Sequence, residues 1–458
     1  MIRISPLDNP NAPLTKDGWR AGLEWALVIL AAPVLWFPTI NARLTAGALV
    51  MAGTGLLVLS VGGGQRESLW KLAGLFRWPW AIFIVSMLAG TVVSPAPDLT
   101  LPKISGLVLG MLVFRAVLLT GTTPRAIWRL TWAHLAAGSG MIVGGAFVSP
   151  FWPSWKSHVL YAVSAQIPRL LGGLPGAEEG VNANALGGST LLLLPLLLVL
   201  AVETMRSSGK TDARESEAHG RASAFEQVGY IAAAAALLAV LVFSQSHTAW
   251  VSAATAALIV VAIRFRATLF LGGAGATAAL AAWIWSDPGS RSTMLGSDGR
   301  VFLWSLGLRA LQDHPISGVG LGAFRKIQES MQVVPVNHQF RVGHAHNIFL
   351  QVALDIGIPG LIAYLALLAL ATVVTYQIVR GDANRGWQAL CLGLWANLVA
   401  IHVFGLADAI ALGSKVGVFF WWNLALVGAL HRVTRLRPAA PSGRSPSAAA
   451  GGMRELFP

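Results

Sequence analysis

The 458-residue chain contains one cysteine, Cys391, and it lies inside an apolar run. A single thiol cannot close an internal disulfide or build a cysteine zinc cluster, so both are excluded. Charge is equally scarce: 12% of residues are Asp, Glu, Lys or Arg, against roughly a quarter in a soluble domain. Acidic residues are the rarer sign, 20 against 33 Lys and Arg. The resulting +13 would point to nucleic acid in a soluble protein. Lys and Arg are also the ordinary flanks of membrane spans, and no DNA- or RNA-binding motif occurs, so no nucleic-acid partner is expected. The first twenty residues lack a signal peptide's apolar stretch and cleavage site, which leaves residues 1–21 as a cytoplasmic tail. No internal repeat of roughly 20 to 50 residues is present, which excludes solenoids.

What is abundant is hydrophobicity, at 55% of residues and a mean hydropathy of +0.63. A span takes about 20 apolar residues, because the hydrocarbon core is about 30 Å thick and a helix rises about 1.5 Å per residue. Runs of this kind lie near 22–40, 45–63, 78–94, 104–120, 131–148, 187–204, 228–245, 249–263, 267–285, 348–378, 388–405 and 414–430. The expected fold is therefore all-α, a polytopic membrane protein of about twelve transmembrane helices, with a transmembrane domain over 22–430. The run at 104–120 holds Arg115, and the one at 348–378 is long enough to tilt or to extend past the bilayer. Basic residues collect on alternate connections and on both tails, while the short loops of the other side hold only Arg43, Lys103 and Lys415. That asymmetry puts the N-terminus in the cytoplasm. Residues 205–227 read as a polar connector and 431–458 as a disordered basic tail.

Two outer loops are long, 149–188 and 286–347. The second carries Arg291, Arg300, Arg309, Arg325, Lys326 and Arg341 against Asp287, Asp298, Asp313 and Glu329. Long loops translocate regardless of charge, so a solvated surface is the plain alternative to a site. From Arg300 to Leu311 apolar residues recur at helical spacing, with Trp304, Leu308 and Leu311 on one face and Asp298 available as N-cap. This predicts an amphipathic helix on the membrane surface with Arg300 at headgroup depth. The following SGVGLGAF, with Gly318, Gly320 and Gly322, suits either a turn or a phosphate-cradling loop, although no GK[ST] follows. His344 and His346 close the loop. A histidine is the side chain best able to take a proton near neutral pH, while metal ligation and a structural interfacial role are the alternatives. Asp408 and Lys415 bracket a short outer turn and are expected to pair with each other or to orient a site residue.

His346 and Asn347, then nine residues, then Gly357-Ile358-Pro359-Gly360 resemble the signature of the O-antigen ligase and polysaccharide polymerase superfamily of bacterial membrane proteins. The spacing from Arg300 to Trp304, with its proline- and glycine-bearing continuation, is similar to the same family. So are NANALGG at 182–188 and SQSHTAW at 244–250, the latter with His247 where the family has arginine. The resemblance implies transfer of a glycan from undecaprenyl diphosphate to an acceptor hydroxyl, on the periplasmic side of a bacterial inner membrane. It implies His346 as base, assisted by His344, and Arg300 as a fork for the leaving diphosphate. Arg291, Arg325, Arg341, His247, Trp304, Asn347 and Arg169 would line the substrate groove. The outer loops hold no DxD-type cluster, so no metal and no cofactor are implied. The acceptor would be a lipid A core, a growing polysaccharide or a protein. Three rivals remain: a polymerase, a lipid-carrier-binding accessory protein without catalysis, and a polyprenyl-glycan transporter, which would need ionisable residues deep in its spans.

Overall fold

The computed structural model describes residues 16–38, 40–61, 74–148, 150–151, 157–168, 181–208, 224–265, 273–275, 277–278, 282, 286, 299–326, 343–381, 383–410 and 412–435. These are almost entirely helical. In chain order they form α1 (Lys16–Trp36), α2 (Ala42–Val61), α3 (Arg77–Val93), α4 (Pro97–Thr120), α5 (Pro124–Val148), α6 (His158–Ser164), α7 (Ala183–Thr190), α8 (Leu194–Ser208), α9 (Ala224–Phe243), α10 (His247–Phe265), α11 (Arg300–Asp313), α12 (Ile348–Arg380), α13 (Arg385–Phe404) and α14 (Gly417–Arg435). Helices stand at every expected span position, and of 267–285, most of which falls outside the described residues, residues 273–275, 277–278 and 282 are helical. Six of them are long and apolar enough to cross a membrane among the described residues, and Ala21–Trp36 and His247–Ile263 are shorter apolar helices. The protein is a multi-pass membrane protein. One short parallel strand pair, Pro150–Phe151 with Val181–Asn182, departs from the all-α expectation and ties together the two ends of the first long loop.

The helix starts follow local chemistry. Pro97 supplies a preset φ in the first turn of α4, where its missing N–H has no partner to lose. Asn182, Asn347 and Asn384 cap α7, α12 and α13 with side-chain oxygens that accept backbone N–H bonds. The core lies where α14 packs on α4, α12 on α3 and α13 on α8. At the first of these contacts Gly110 lets the α4 backbone meet the fully buried Trp421, since a Cβ there would stand 2.1 Å from its ring. Two buried asparagines are paired. Asn397 accepts from the Leu196 N–H at 3.0 Å and donates to Asn423, and Asn423 in turn donates to the Leu394 carbonyl. Arg115, mid-helix in α4, donates to Glu24 of α1 at 2.7 Å with both side chains buried, which is how a span tolerates that arginine.

The bundle has two ends. At one end Ser157 bonds Gln245, Leu321 bonds the Gly90 carbonyl, Ile348 bonds the Gly405 carbonyl and Lys415 sits 4.3 Å over the Phe37 ring. At the other end Trp128 stacks on Trp387, and the Arg432 guanidinium caps carbonyls of Leu118 and Gly121. Residues 299–326 and 343–347 belong to the first end. Helix α11 is capped by Gly299 without a side-chain bond, so Asp298 is not the N-cap. The buried face of α11 is Leu303, Leu306, Gly307 and Ala310. Leu308, expected on the face toward the membrane surface, is exposed together with Val301 and Phe302. The helix is apolar on two sides, and the stripe that meets protein is a second one beside the face expected toward the membrane.

Candidate active site

Asn347 builds the site's floor. Its extended backbone ends the loop, its Oδ1 accepts the N–H groups of Phe349 and Leu350 at 3.0 Å each, and its Nδ2 donates to the Leu406 carbonyl. The start of α12 is thereby fastened to the 405–409 turn after α13. His346 has φ +48°, a left-handed conformation that residues with a Cβ seldom adopt. That turn removes the difficulty of an i, i+2 pair: the two imidazoles stand with centroids 4.3 Å apart and converge on one carboxylate, Asp408.

Asp408 is buried and receives several groups at once. Its Oδ1 lies 3.1 Å from His346 Nδ1, 3.8 Å from His344 Nε2 and 2.8 Å from the Ala409 N–H. Its Oδ2 lies 3.9 Å from Arg300 Nη2. Burial alone would push this carboxyl up. The His346 hydrogen bond and the positive charge available from His346, His344 and Arg300 outweigh it and hold Asp408 below its usual value. Burial lowers the Arg300 value, opposed by the Asp408 charge. Burial, with His346, Lys103 and Arg300 nearby, lowers His344 to about 4 against the opposing pull of Asp408.

These facts fix the tautomers. The His346 backbone N–H donates to His344 Nδ1 at 3.2 Å, so that nitrogen is an acceptor and the ring's proton sits on Nε2, facing Asp408. An ionised Asp408 can only accept, so His346 Nδ1 carries the proton of their shared bond. In the neutral ring Nε2 is then the basic nitrogen. His346 is partly exposed, at 24% of its side chain.

The remaining expected residues divide. Trp304 lies one turn beyond Arg300 on α11, with its buried indole N–H unpaired among the described residues. Arg325 reaches Gly343, where an added methyl would meet Nη2 at 3.6 Å, and so lies beside the histidines. His247 starts α10 with its ring 5.5 Å from Trp250 of the same helix. Arg169, Arg291 and Arg341 fall outside the described residues. The glycine-rich segment is a packing turn. Gly318, Gly320 and Gly322 have φ of +66°, +107° and +82°, and added Cβ atoms would strike Leu354 O, Ser94 and Leu99 O. The N–H groups of Val319, Leu321 and Gly322 are taken by Leu354, Gly90 and Asp355, so they are not offered to a phosphate.

Residues 232–365 match the family model described as O-antigen ligase. The match supports kinship of this segment with the O-antigen ligase superfamily. The O-antigen ligase segment contains α10, α11, the packing turn and both histidines, and it points to glycan ligase or polymerase-type chemistry at a membrane. No curated protein matches the sequence. Asp408 lies beyond the matched O-antigen ligase segment, and the reading of the sequence gave it no firm role. The available signal was its isolation: it is the only carboxylate between Asp382 and Glu455. The alternative that it orients a site residue is the one the geometry favours, since Lys415, its expected partner, packs on Phe37 instead.

His344, His346 and Asp408 offer three donor atoms within 4.8 Å of one another, a set that could also hold a divalent ion. Arg300 already supplies a cation to the same carboxylate, which weakens that use of it.

Proposed function

We propose that this protein transfers a glycan from undecaprenyl diphosphate to an acceptor hydroxyl at the periplasmic face of a bacterial inner membrane, without a metal. The observation that carries this reading is the shared aspartate. Asp408 binds His346 Nδ1 on one oxygen and faces Arg300 on the other, so a base and a cation are held within one constellation. His346 Nε2 takes the acceptor hydroxyl proton as that oxygen bonds the sugar's anomeric carbon. The bond from that carbon to the diphosphate breaks, and its electron pair leaves with the phosphate oxygen. Arg300, whose guanidinium can hold phosphate oxygens in a fork, offsets the charge that develops there. Asp408 steadies the imidazolium while it carries the proton.

Two further observations support the reading over transport. Of the ionisable groups seen within the spans, Glu24 pairs with Arg115 and His402 with Tyr364, while His134 is buried against the Phe419 and Trp422 rings. The basic ends of α5, α8, α12 and α14 lie opposite the site, as expected if the site faces away from the cytoplasm.

The test is complementation of surface-glycan assembly in a deletion strain by His346→Ala and Arg300→Ala, with insertion of both proteins verified. Each should lower assembly about 100-fold or more, the size of one general-base or electrostatic contribution. Polymer accumulating on the lipid carrier marks ligation as the missing step, and single-repeat products mark polymerisation. Full assembly by both variants sinks the catalytic reading.

A further inference from the structure

A second polar cluster lies behind the histidines and is joined to them through the backbone. Asp355, on the short first part of α12, accepts Lys103 Nζ of α4 on both oxygens, at 2.9 and 3.1 Å. Its Oδ1 also accepts the Gly322 N–H and Gln351 Nε2, each at 2.9 Å. Because the amide nitrogen of Gln351 is engaged by that carboxylate, its Oε1 points the other way, where it accepts the Ala345 N–H at 2.8 Å. Ala345 is fully buried and sits between the two histidines.

Three separate parts of the chain thus meet one buried carboxylate: α4 through Lys103, the glycine turn through Gly322, and the histidine loop through Gln351. Immediately after Ala345 the chain enters the left-handed conformation of His346. Such a conformation is strained and persists only where its surroundings over-determine it. The Gln351 bond on one side and the Asp408 bond on the other supply that determination.

We infer that Asp355 and Gln351 are positioning residues, which set the direction of His346 by holding the Ala345 amide. The inference rests on the catalytic reading of His346 above and adds a requirement to it. Gln351→Leu keeps the side chain's bulk but removes both hydrogen bonds. Asp355→Asn keeps shape but loses the charge that binds Lys103 and orients the amide of Gln351.

The experiment uses the purified full chain with an undecaprenyl diphosphate-linked oligosaccharide as donor and a lipid A core as acceptor, beside His346→Ala. Gln351→Leu should lower kcat about 10- to 100-fold while donor KM moves less than about twofold, since misdirecting a base weakens the chemical step and leaves ground-state binding alone. The double variant with Asp355→Asn should lose little more than the worse single one, because both cut the same chain of bonds. Independently of turnover, amide exchange of the peptide holding Ala345 should speed up in Gln351→Leu while peptides from α14 stay protected. Wild-type kcat, or unchanged exchange at Ala345, with His346→Ala inactive overturns the positioning role alone. An active His346→Ala overturns it together with the catalytic reading.

Discussion

An imidazole acts as a base only from the nitrogen that carries no proton, so the partner on its other nitrogen decides whether it can work. In this chain that partner is Asp408. Asp408→Asn can turn an amide N–H toward His346 Nδ1 and drive the ring's proton to Nε2. Turnover should fall about 100-fold or more, with insertion and donor KM preserved, as for loss of the orienting carboxylate in a triad. Retained activity would remove the tautomer argument. His344 gives a pH signature of folding. Its value falls from 6.5 in the unfolded chain to about 4 in the folded one, so between these limits the unfolded chain binds more protons. Stability is therefore full above about pH 6.5 and declines as pH falls toward 4, and thermal midpoints in detergent should show a flatter profile for His344→Gln. An equally steep profile in that variant would assign the slope to other groups. If arginine and not a metal balances the diphosphate, chelators should leave turnover unchanged.

Among the elements, α12 is the one whose shape matters most for the site. Its helix breaks at Ile356 and Gly357, where Gly357 has φ +77° and an added Cβ would lie 1.8 Å from the Ile316 carbonyl. Gly357→Ala should thus separate the packing turn from α12 and lower both thermal stability and activity, whereas Ile358→Ala, at a half-exposed neighbour, should change little. The break was legible, because a glycine-proline-glycine cluster inside an apolar run of that length has few other uses. The existence of α11 was legible for the same kind of reason. Its buried stripe was not: Val301, Phe302 and Leu308 are as apolar as Leu303, Leu306 and Ala310, and periodicity cannot say which stripe meets protein. His346 and Arg300 could be found because they stand in local motifs. Asp408 is 62 positions from His346, and only the packing of α13 beside the start of α12 brings them together.

For the whole molecule, the buried Arg115–Glu24 pair joins α4 to α1. Truncating one partner leaves an uncompensated buried charge, so Glu24→Ala should destabilise by roughly 3–5 kcal/mol, read as a lower midpoint in detergent, with the site's chemistry intact in the folded fraction. The single cysteine makes orientation testable. Cys391 is fully buried, so in a Cys391→Ala background only introduced thiols should react. A membrane-impermeant maleimide applied to intact spheroplasts should label Asp98→Cys at the site end and spare Thr122→Cys at the opposite end; the reverse pattern would invert the proposed orientation. Finally, Asp408 grips Arg300 at the beginning of a long loop and the two histidines at its close. It works as a clasp, so that removing this one carboxylate releases segments more than forty residues apart in the chain.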